Sequence, residues 1–309
     1  MAASNDNYAI FAGGVSGSTY YNVVEAFDKN LTRTLPSAMS AARERHCGGT
    51  VGKYVLFCGG VNSSSSSYLT TVDAYDDLLT RSTPTKLTHG RREAAFASIG
   101  SYGLIGGSTQ NMEAYNTSLT KTIPNTLTGD SLGVYNLAAA STKTHAIFGG
   151  GNPAAWKSVL AVVNAFDSQL VRTTPQSLSV ARYELAAAST ENHVIFAGGA
   201  GLNSSMVLQG IYNTVDAYDT SLTRSNPTGL SAEKYSAIAA SIDGHALFAG
   251  GRNADSYLKS VDSYDDALIK KIETSLGANA GNTGGTSIGE YALIGGSHST
   301  NLYTYSFSN

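Results

Sequence analysis

The chain has 309 residues, of which 42% are hydrophobic and only 14% charged, and its net charge is −3. This balance provides no field to attract nucleic acid or an anionic membrane, and no apolar run approaches the ~20 residues that span a bilayer. The amino terminus carries no secretion signal, and two cysteines cannot form a disulfide framework.

An apolar element closed by two glycines recurs along the chain, first as AIFAGG and later in closely related forms. Its closing glycines are 44 to 52 residues apart, which is the fixed-period similarity typical of repeat architectures. The seven closing glycines are Gly14, Gly60, Gly107, Gly151, Gly199, Gly251 and Gly296.

Three further elements follow each apolar element in constant order. The first is acidic, as in VDAYD at 72–76; the second is Leu-x-basic, as at 79–81; the third is rich in Ala and Gly, as in AAAS at 138–141. Each element spans four to eight residues between turn residues, which predicts strands. Two-residue links such as Gly52-Lys53 favour hairpin turns, so each repeat predicts four antiparallel strands.

Four-stranded units repeated radially are typical of a β-propeller. The sequence therefore predicts an all-β, seven-bladed β-propeller as a single domain over residues 1–309, with the Ala/Gly-rich strands innermost. The terminal blades are expected to be incomplete, because residues 1–4 match only the tail of an inner strand and the chain stops before a seventh outer strand. The ring is then expected to close without strand exchange between the termini. Either its closure depends on blade packing, or the chain is a segment of a longer repeat array.

The doubled glycine, the Tyr-Asp strand and the later basic residue and proline resemble kelch repeats over essentially the whole chain. Kelch repeats usually carry a Trp in the outer strand, whereas here a Leu occupies that region and the single Trp is Trp156. The variant resembles degenerate kelch repeats of bacterial and phage surface proteins. Kelch-like propellers include binding modules and also sugar-active enzymes, among them a copper oxidase of galactose and a sialic-acid mutarotase.

Most periodic polar residues favour structural roles. His145, His193 and His245 open apolar strands where other repeats have Tyr, so no metal site and no cofactor are predicted. The acidic strand is expected to pair with the basic outer strand beside it. Cys47 and Cys58 are predicted to lie opposite each other as buried free thiols, with a cross-strand disulfide as the less favoured alternative.

The loops between the apolar and acidic strands differ most from repeat to repeat, which makes them the first candidate binding surface. They carry Tyr, Asn and Arg, which suit adaptable recognition. Because Tyr20, Tyr68 and Tyr257 share one register, a packing role is favoured for them. The candidate loop residues are Tyr21, Trp156, Asn203, Tyr212, Arg252 and Asn253.

The starts of the inner strands are the second candidate, because their polar residues differ between blades and are expected to ring an axial funnel. The preceding position is basic in most repeats, as at Arg43 and Lys234, and is expected to bridge blades. The candidate funnel residues are Arg45, Arg92, Glu93, Tyr135, Asn136, Tyr183, Glu184 and Tyr235.

The sequence favours a non-catalytic binding module for a glycan or a protein. A mutarotase-like enzyme is the alternative, with Glu93, Glu184 and Arg45 as acid–base groups. A copper oxidase is less favoured because His46, His89 and His298 fall in separate blades.

A third alternative is an architectural domain of a surface or virion assembly. We expect a monomer that binds no nucleic acid and inserts in no membrane. Its compartment is left open between the cytoplasm and such an assembly.

Overall fold

The computed structural model describes residues 1–62, 68–154, 158–205, 207–295 and 302–307. All regular structure in these ranges is β, and consecutive inner strands contact one another around a closed circle. The predicted seven-bladed propeller is confirmed. No helix that could cross a membrane occurs in the described part of the chain.

Each blade is an antiparallel sheet whose strands follow one another from the axis outward. The inner strands are Ala2–Ser4, Cys47–Val51, Ala95–Ile99, Ala138–Ser141, Ala186–Ser189, Ile238–Ile242 and Gly285–Ile288. The second strands are Ala9–Ser16, Tyr54–Cys58, Tyr102–Gly107, Ala146–Gly149, His193–Ala197, His245–Ala249 and Tyr291–Gly295. The third strands are Thr19–Phe27, Val72–Tyr75, Thr109–Asn116, Val163–Phe166, Val215–Asp219, Val261–Tyr264 and Leu302–Tyr305. The outer strands are Arg33–Thr34, Arg81–Ser82, Lys121–Thr122, Arg172–Thr173, Arg224–Ser225 and Lys270–Ile272.

The terminal blades match the expectation only in part. Blade 1 is a complete four-stranded sheet, because the three residues Ala2–Ser4 are enough to pair with its second strand. Blade 7 has three strands in the described part of the chain. Two small ribbons lie outside the blades, one joining Val134–Tyr135 to Asn152–Pro153 and the other joining Ala200–Leu202 to Leu208–Ile211.

Local turn chemistry explains how the short strands are connected. Gly52 begins a two-residue hairpin turn with a φ of 54°, a conformation that glycine adopts without steric cost. After the third strand, Asp28 Oδ1 accepts the N–H groups of Asn30 (2.9 Å) and Thr32 (2.8 Å). This side-chain turn reverses the chain toward the outer strand, and it recurs at Asp76.

The inner strands line an axial channel of about 360 Å³. Their small side chains fit where the blades converge, which confirms the predicted position of the Ala/Gly-rich elements. Every blade contributes at least one hydroxyl to this channel, and the Thr50 and Ser98 hydroxyls donate to the carbonyls of Ser4 and Thr50 in the preceding blades. The hydroxyl residues are Ser4, Thr50, Ser98, Ser141, Ser189, Ser241, Thr286 and Ser287.

The ring closes by packing of blade 7 against blade 1, and no strand is exchanged in the described part of the chain. The Lys29 side chain of blade 1 lies against the Gly289 turn of blade 7, with its Cγ 3.5 Å from where a Gly289 Cβ would be. Between blades 5 and 6, the corresponding turns are joined by a hydrogen bond of 2.7 Å from Asn192 Nδ2 to Asp266.

The basic residues that are predicted to bridge blades form buried ion pairs. Arg43 and Asp73 are both fully buried and bonded to each other, and Arg43 also donates to the Thr71 carbonyl at 3.2 Å. The Arg43 amide donates to Tyr21 of the preceding blade at 3.0 Å, so this residue joins two blades. The expected pairing with the outer strand also occurs, because Arg81 Nη1 lies 2.9 Å from Asp73 Oδ1. The sequence pattern alone does not indicate this second, buried partner of the acidic strand.

Cys47 and Cys58 lie directly opposite each other in blade 2, as predicted. Both are buried free thiols. Burial, followed by the neighbouring Cys47, raises the pKa of the Cys58 thiol well above its usual value. A protonated, inaccessible thiol is a small apolar core group, which confirms the favoured interpretation.

Because His46 is buried, the stability of the protein is expected to depend on pH. Burial holds its pKa well below the ordinary 6.5, and the Met1 amino group and Arg43 add to the effect. The folded state therefore keeps His46 neutral while the unfolded state takes up a proton below about pH 6.5. We expect stability to fall by up to about 1.4 kcal/mol per pH unit as the pH drops below that value.

The matched variant is His46→Leu, because blades 4 and 5 have Leu137 and Leu185 at this position. Urea midpoints between pH 7.5 and 5 should vary less in His46→Leu than in the wild type. The exposed His89→Ala serves as the control and should keep the wild-type slope. Equal slopes in all three proteins would contradict the prediction.

Candidate functional site

An incomplete ring of five backbone hydrogen bonds runs around the axis from blade 2 to blade 7, just before the inner strands. Its members all have left-handed backbone conformation, with φ between 48° and 58°. Each amide donates to the carbonyl of the previous member, at 3.0, 3.1, 3.0, 2.9 and 3.5 Å in chain order. Such a conformation is uncommon for residues other than glycine and is often found at functional sites. The six residues are Arg45, Glu93, Asn136, Glu184, Ser236 and Asn282.

Polar side chains of this ring interact from blade to blade at one end of the channel, which we call the axial mouth. Arg45 Nη1 lies 2.8 Å from Glu93 Oε1, and Arg92 Nε lies 3.9 Å from Glu93 Oε2. The Ser236 hydroxyl donates to Glu184 Oε2. The predicted funnel carboxylates are therefore held by neighbours on adjacent blades.

Two arginine–tyrosine clusters flank the mouth. The Arg92 guanidinium lies 4.9 Å from the ring centre of Tyr68 and 5.7 Å from that of Tyr135. On blade 6, the Arg252 guanidinium lies 5.2 Å from the Tyr235 ring centre, and Tyr257 is a second neighbour at 5.6 Å. Such contacts fix the planar guanidinium against an aromatic face.

These clusters contain residues from both predicted surfaces, the variable loops and the axial funnel. Arg252 was a candidate of the variable loops, yet it contacts the funnel candidate Tyr235. Tyr68 and Tyr257 had been interpreted as packing residues, and both lie against arginines of the mouth. Their neighbours could not be identified from register alone, because the contacts join different segments of the chain.

Burial and like charge alter the ionisation of the mouth. Burial and then the negative charge of Glu93 raise the pKa of Glu184, while Ser236 and the cations Arg252 and Arg45 oppose that rise. Burial, Glu184 and Tyr235 raise the pKa of Tyr183 to about 12, so its hydroxyl remains a neutral donor and acceptor. Glu184 and Tyr183 thus offer adjacent hydrogen-bonding groups on blade 5.

Several predicted loop residues shape their own loops instead. Asn203 Oδ1 accepts the amides of residues 205 and 207, and Asn253 Oδ1 accepts those of residues 255 and 256. Tyr212 lies over Gly201 in the ribbon of blade 5. Tyr21 is 41% exposed on blade 1. Trp156 lies outside the described residues.

The histidines considered for copper are not brought together where they are described. His46 is buried edge-on against Phe57, with ring centres 5.7 Å apart, whereas His89 is exposed on the segment leading to blade 3. His298 lies outside the described residues. The described ranges contain no group of three His, Cys, Asp or Glu side chains that could hold a metal ion.

The axial mouth combines balanced charge with aromatic surface. Its three arginines, Arg45, Arg92 and Arg252, are matched by three carboxylates, because Glu44 lies 3.6 Å from Arg45 beside Glu93 and Glu184. Such an array can exchange many hydrogen bonds with a polar ligand without selecting strongly for either sign of charge.

Comparison with known proteins supports the fold alone. No protein-family model matches the chain, and no curated protein matches it in sequence. Among solved structures, that of YjhT is similar with a TM-score of 0.69 and 11% identity, over 88% of this chain and 96% of that chain.

Proposed function

We propose that the protein is a non-catalytic binding module that holds a glycan at the axial mouth. The observation that carries the proposal is the convergence there of two arginine–tyrosine clusters with the carboxylates Glu93 and Glu184. We further propose that the blades are divergent kelch repeats, on the strength of the recurring glycine pair and Tyr-Asp strand.

The chemistry of the mouth suits a polar, uncharged ligand. Carboxylate, amide and hydroxyl groups can match the hydroxyls of a sugar, and tyrosine faces can cover the apolar side of its ring. Glu93 accepts from Arg45 through Oε1, while its Oε2 is buried without a hydrogen bond in the described structure. A strongly charged ligand would have to displace one of the existing ion pairs.

Substitutions at the axial mouth should weaken glycan binding. A sugar that binds should raise the melting temperature, because at 100 times its dissociation constant it stabilises the folded state by about 2.7 kcal/mol. Glu184→Gln removes the charge but keeps the size, and Tyr183→Ala removes the adjacent aromatic face. We expect Glu184→Gln to weaken binding about tenfold, because a hydrogen bond to a charged group contributes about 1.5–3 kcal/mol. We expect a similar loss from Tyr183→Ala, because it removes the contact of the ring with the sugar and a neutral hydroxyl.

The measurement is a thermal-shift screen with galactose, glucose, mannose and their N-acetyl forms, followed by titration calorimetry of any sugar that binds. Tyr54→Ala, at the hairpin turn of blade 2, is the matched control for a lost tyrosine. Its affinity should equal that of the wild type. A sugar that binds all four proteins equally would show that the mouth is not the site.

A mutarotase-like enzyme is the second candidate, favoured by one observation. Burial, and then the charge of Glu93, raises the pKa of Glu184, and a carboxyl group that keeps its proton to higher pH can act as a general acid. Exchange NMR on the α and β anomers of any bound sugar separates the two functions. If the protein leaves the rate of anomer exchange unchanged, it is a binding module. If it accelerates the exchange and Glu184→Gln abolishes that acceleration, the protein is an enzyme.

A further inference from the structure

The segments that cross from one blade to the next share a sequence and a task. Each of the six leaves an outer strand and then presents a large apolar residue, which in four of them is followed by a hydroxyl residue and a base. Before blade 2 these are Met39, Ser40 and Arg43. The Ser40 amide and hydroxyl donate to Asp73 at 2.9 and 3.0 Å, and Arg43 completes the pair. The pattern is Leu or Met, Ser or Thr, two residues, then Arg or Lys.

The third-strand residue that accepts hydrogen bonds from the crossing segment is acidic or neutral, according to whether that segment carries a base. Blade 3 repeats the arrangement with Thr88 and Arg91 on Glu113, the amide at 2.7 Å and the guanidinium at 3.1 Å. Blade 4 has Val134 in place of the base, and its acceptor is the neutral Asn164, which binds the Thr128 amide at 3.0 Å.

Blade 7 has Ala280 where the base would be and Tyr303 where the acid would be. An acid on the third strand therefore accompanies a crossing segment with a base.

Blade 1 breaks this rule. Glu25 occupies the acidic position, yet no crossing segment reaches it in the described part of the chain. Its side chain is 37% exposed, and its ion pair at 2.5 Å is with Arg33, itself 52% exposed. The counterparts of Glu25 in blades 2, 5 and 6 are fully buried. These counterparts are Asp73, Asp216 and Asp262.

The packing around Glu25 is also incomplete. Val23 is 48% exposed, and Phe27 is only half-buried, whereas the corresponding Tyr75 of blade 2 is fully buried. The apolar cluster between blades 7 and 1 has only Ala9, Ile288 and Leu293 as fully buried members in the described residues. Every other interface between blades contains a buried apolar residue of the crossing segment. These residues are Met39, Leu87, Leu127, Leu178, Leu230 and Leu276.

On the other side of this gap, the third strand of blade 7 is paired along only one edge in the described part of the chain. Elsewhere one continuous segment fills both places, as residues 77–93 do between blades 2 and 3. We call the space bounded by Val23, Glu25, Phe27 and Leu302–Tyr305 the seam groove.

We propose that the seam groove binds an extended basic segment of another polypeptide with the pattern Leu-Ser/Thr-x-x-Arg/Lys. Its leading part would add a strand to the free edge of blade 7, as in β-strand addition. Its apolar residue would fill the interface, and its base would pair with Glu25. This surface lies apart from the axial mouth, and the proposal does not depend on glycan binding.

The test uses a fluorescent peptide copied from residues 77–93, because its base already binds a glutamate, Glu113. Titration with the full chain should give saturable 1:1 binding by anisotropy. Glu25→Gln in the protein, or Arg91→Ala in the peptide, should each weaken binding about tenfold or more, as expected for loss of a charge-assisted hydrogen bond. The exposed Glu191→Gln is the matched control and should bind as the wild type does.

Three results would overturn the proposal. The first is the absence of saturable binding. The second is equal binding by the wild type and Glu25→Gln, which would place the peptide elsewhere. The third is concentration-dependent self-association that Glu25→Gln abolishes while the peptide does not bind, which would make a second copy of this chain the occupant. Increased hydrogen-exchange protection of residues 21–27 on peptide addition would support the groove directly.

Discussion

Lys234→Val is expected to destabilise the protein by about 3–5 kcal/mol, because it leaves a buried carboxylate without its counter-charge. Lys234 and Asp262 are both fully buried, with Nζ 3.3 Å from Oδ2. Lys234 also donates to the Ser260 hydroxyl at 2.8 Å. After the substitution, Asp262 would retain the Ser231 amide and hydroxyl, each at 3.0 Å. Guanidinium denaturation followed by circular dichroism measures the loss.

Blade 4 supplies the matched control, since it solves the same problem with Val134 and Asn164. The double variant Lys234→Val/Asp262→Asn copies that solution into blade 6. We expect it to recover most of the loss, because a neutral amide can be satisfied by Ser231 alone and replacing a buried ion pair with apolar groups is often neutral. A double variant as unstable as Lys234→Val would show that the ion pair contributes something the blade 4 arrangement lacks.

Gly49→Ala is expected to destabilise the protein by about 1–3 kcal/mol, although alanine occupies this position in blades 3 to 6. In blade 2, a Cβ on Gly49 would overlap the Phe96 ring of blade 3. A Cβ on Gly103 would overlap the same ring. Phe96 thus occupies the space that two glycines leave, and an added methyl group must displace it.

The sign of the effect should reverse when the ring is removed. Phe96→Ala by itself leaves a cavity and lowers stability. In that background Gly49→Ala should be neutral or should stabilise the protein by about 0.5–1 kcal/mol, because glycine within a strand is less favourable than alanine. A double-mutant cycle on denaturation midpoints measures this coupling. Equal losses in both backgrounds would exclude the steric explanation.

The regular part of the fold could be read from the sequence because it depends on local chemistry that repeats. Gly52 and Asp28 each determine a turn through their own backbone or side chain. Blade 3 shows the limit of pattern matching. There Ser108 adopts a φ of 63°, and its amide donates to the Val134 carbonyl at 2.6 Å. In blade 2 the equivalent hydrogen bond to the next crossing segment comes from Gly60. The glycine pair at 106–107 is therefore one residue out of register with the pair of blade 2.

The candidate site was only partly predictable. The ring position of Arg45 and Glu184 follows from counting back along each repeat, because equivalent positions in a radial array face the same axis. The contact of Arg252 with Tyr235 could not be predicted in this way, because the two residues lie on different segments, the loop after the second strand and the approach to the inner strand. For Asn203 and Asn253, the sequence chemistry that suggested recognition also fits the local turns that their side chains form, and their binding role stays a prediction.

The sequence by itself determined the number of blades, the order of strands, the turns and the inner position of the small residues, because these depend on contacts within one repeat. Only the tertiary structure decided which charges meet between repeats. It showed that Asp73 belongs to Arg43 as well as to Arg81, that Phe96 fills the space above Gly49, and that Glu25 faces the seam groove. The contacts of Asp73 with Arg43 and of Gly49 with Phe96 join different repeats of the sequence, where the distance along the chain gives no guide to the distance in space.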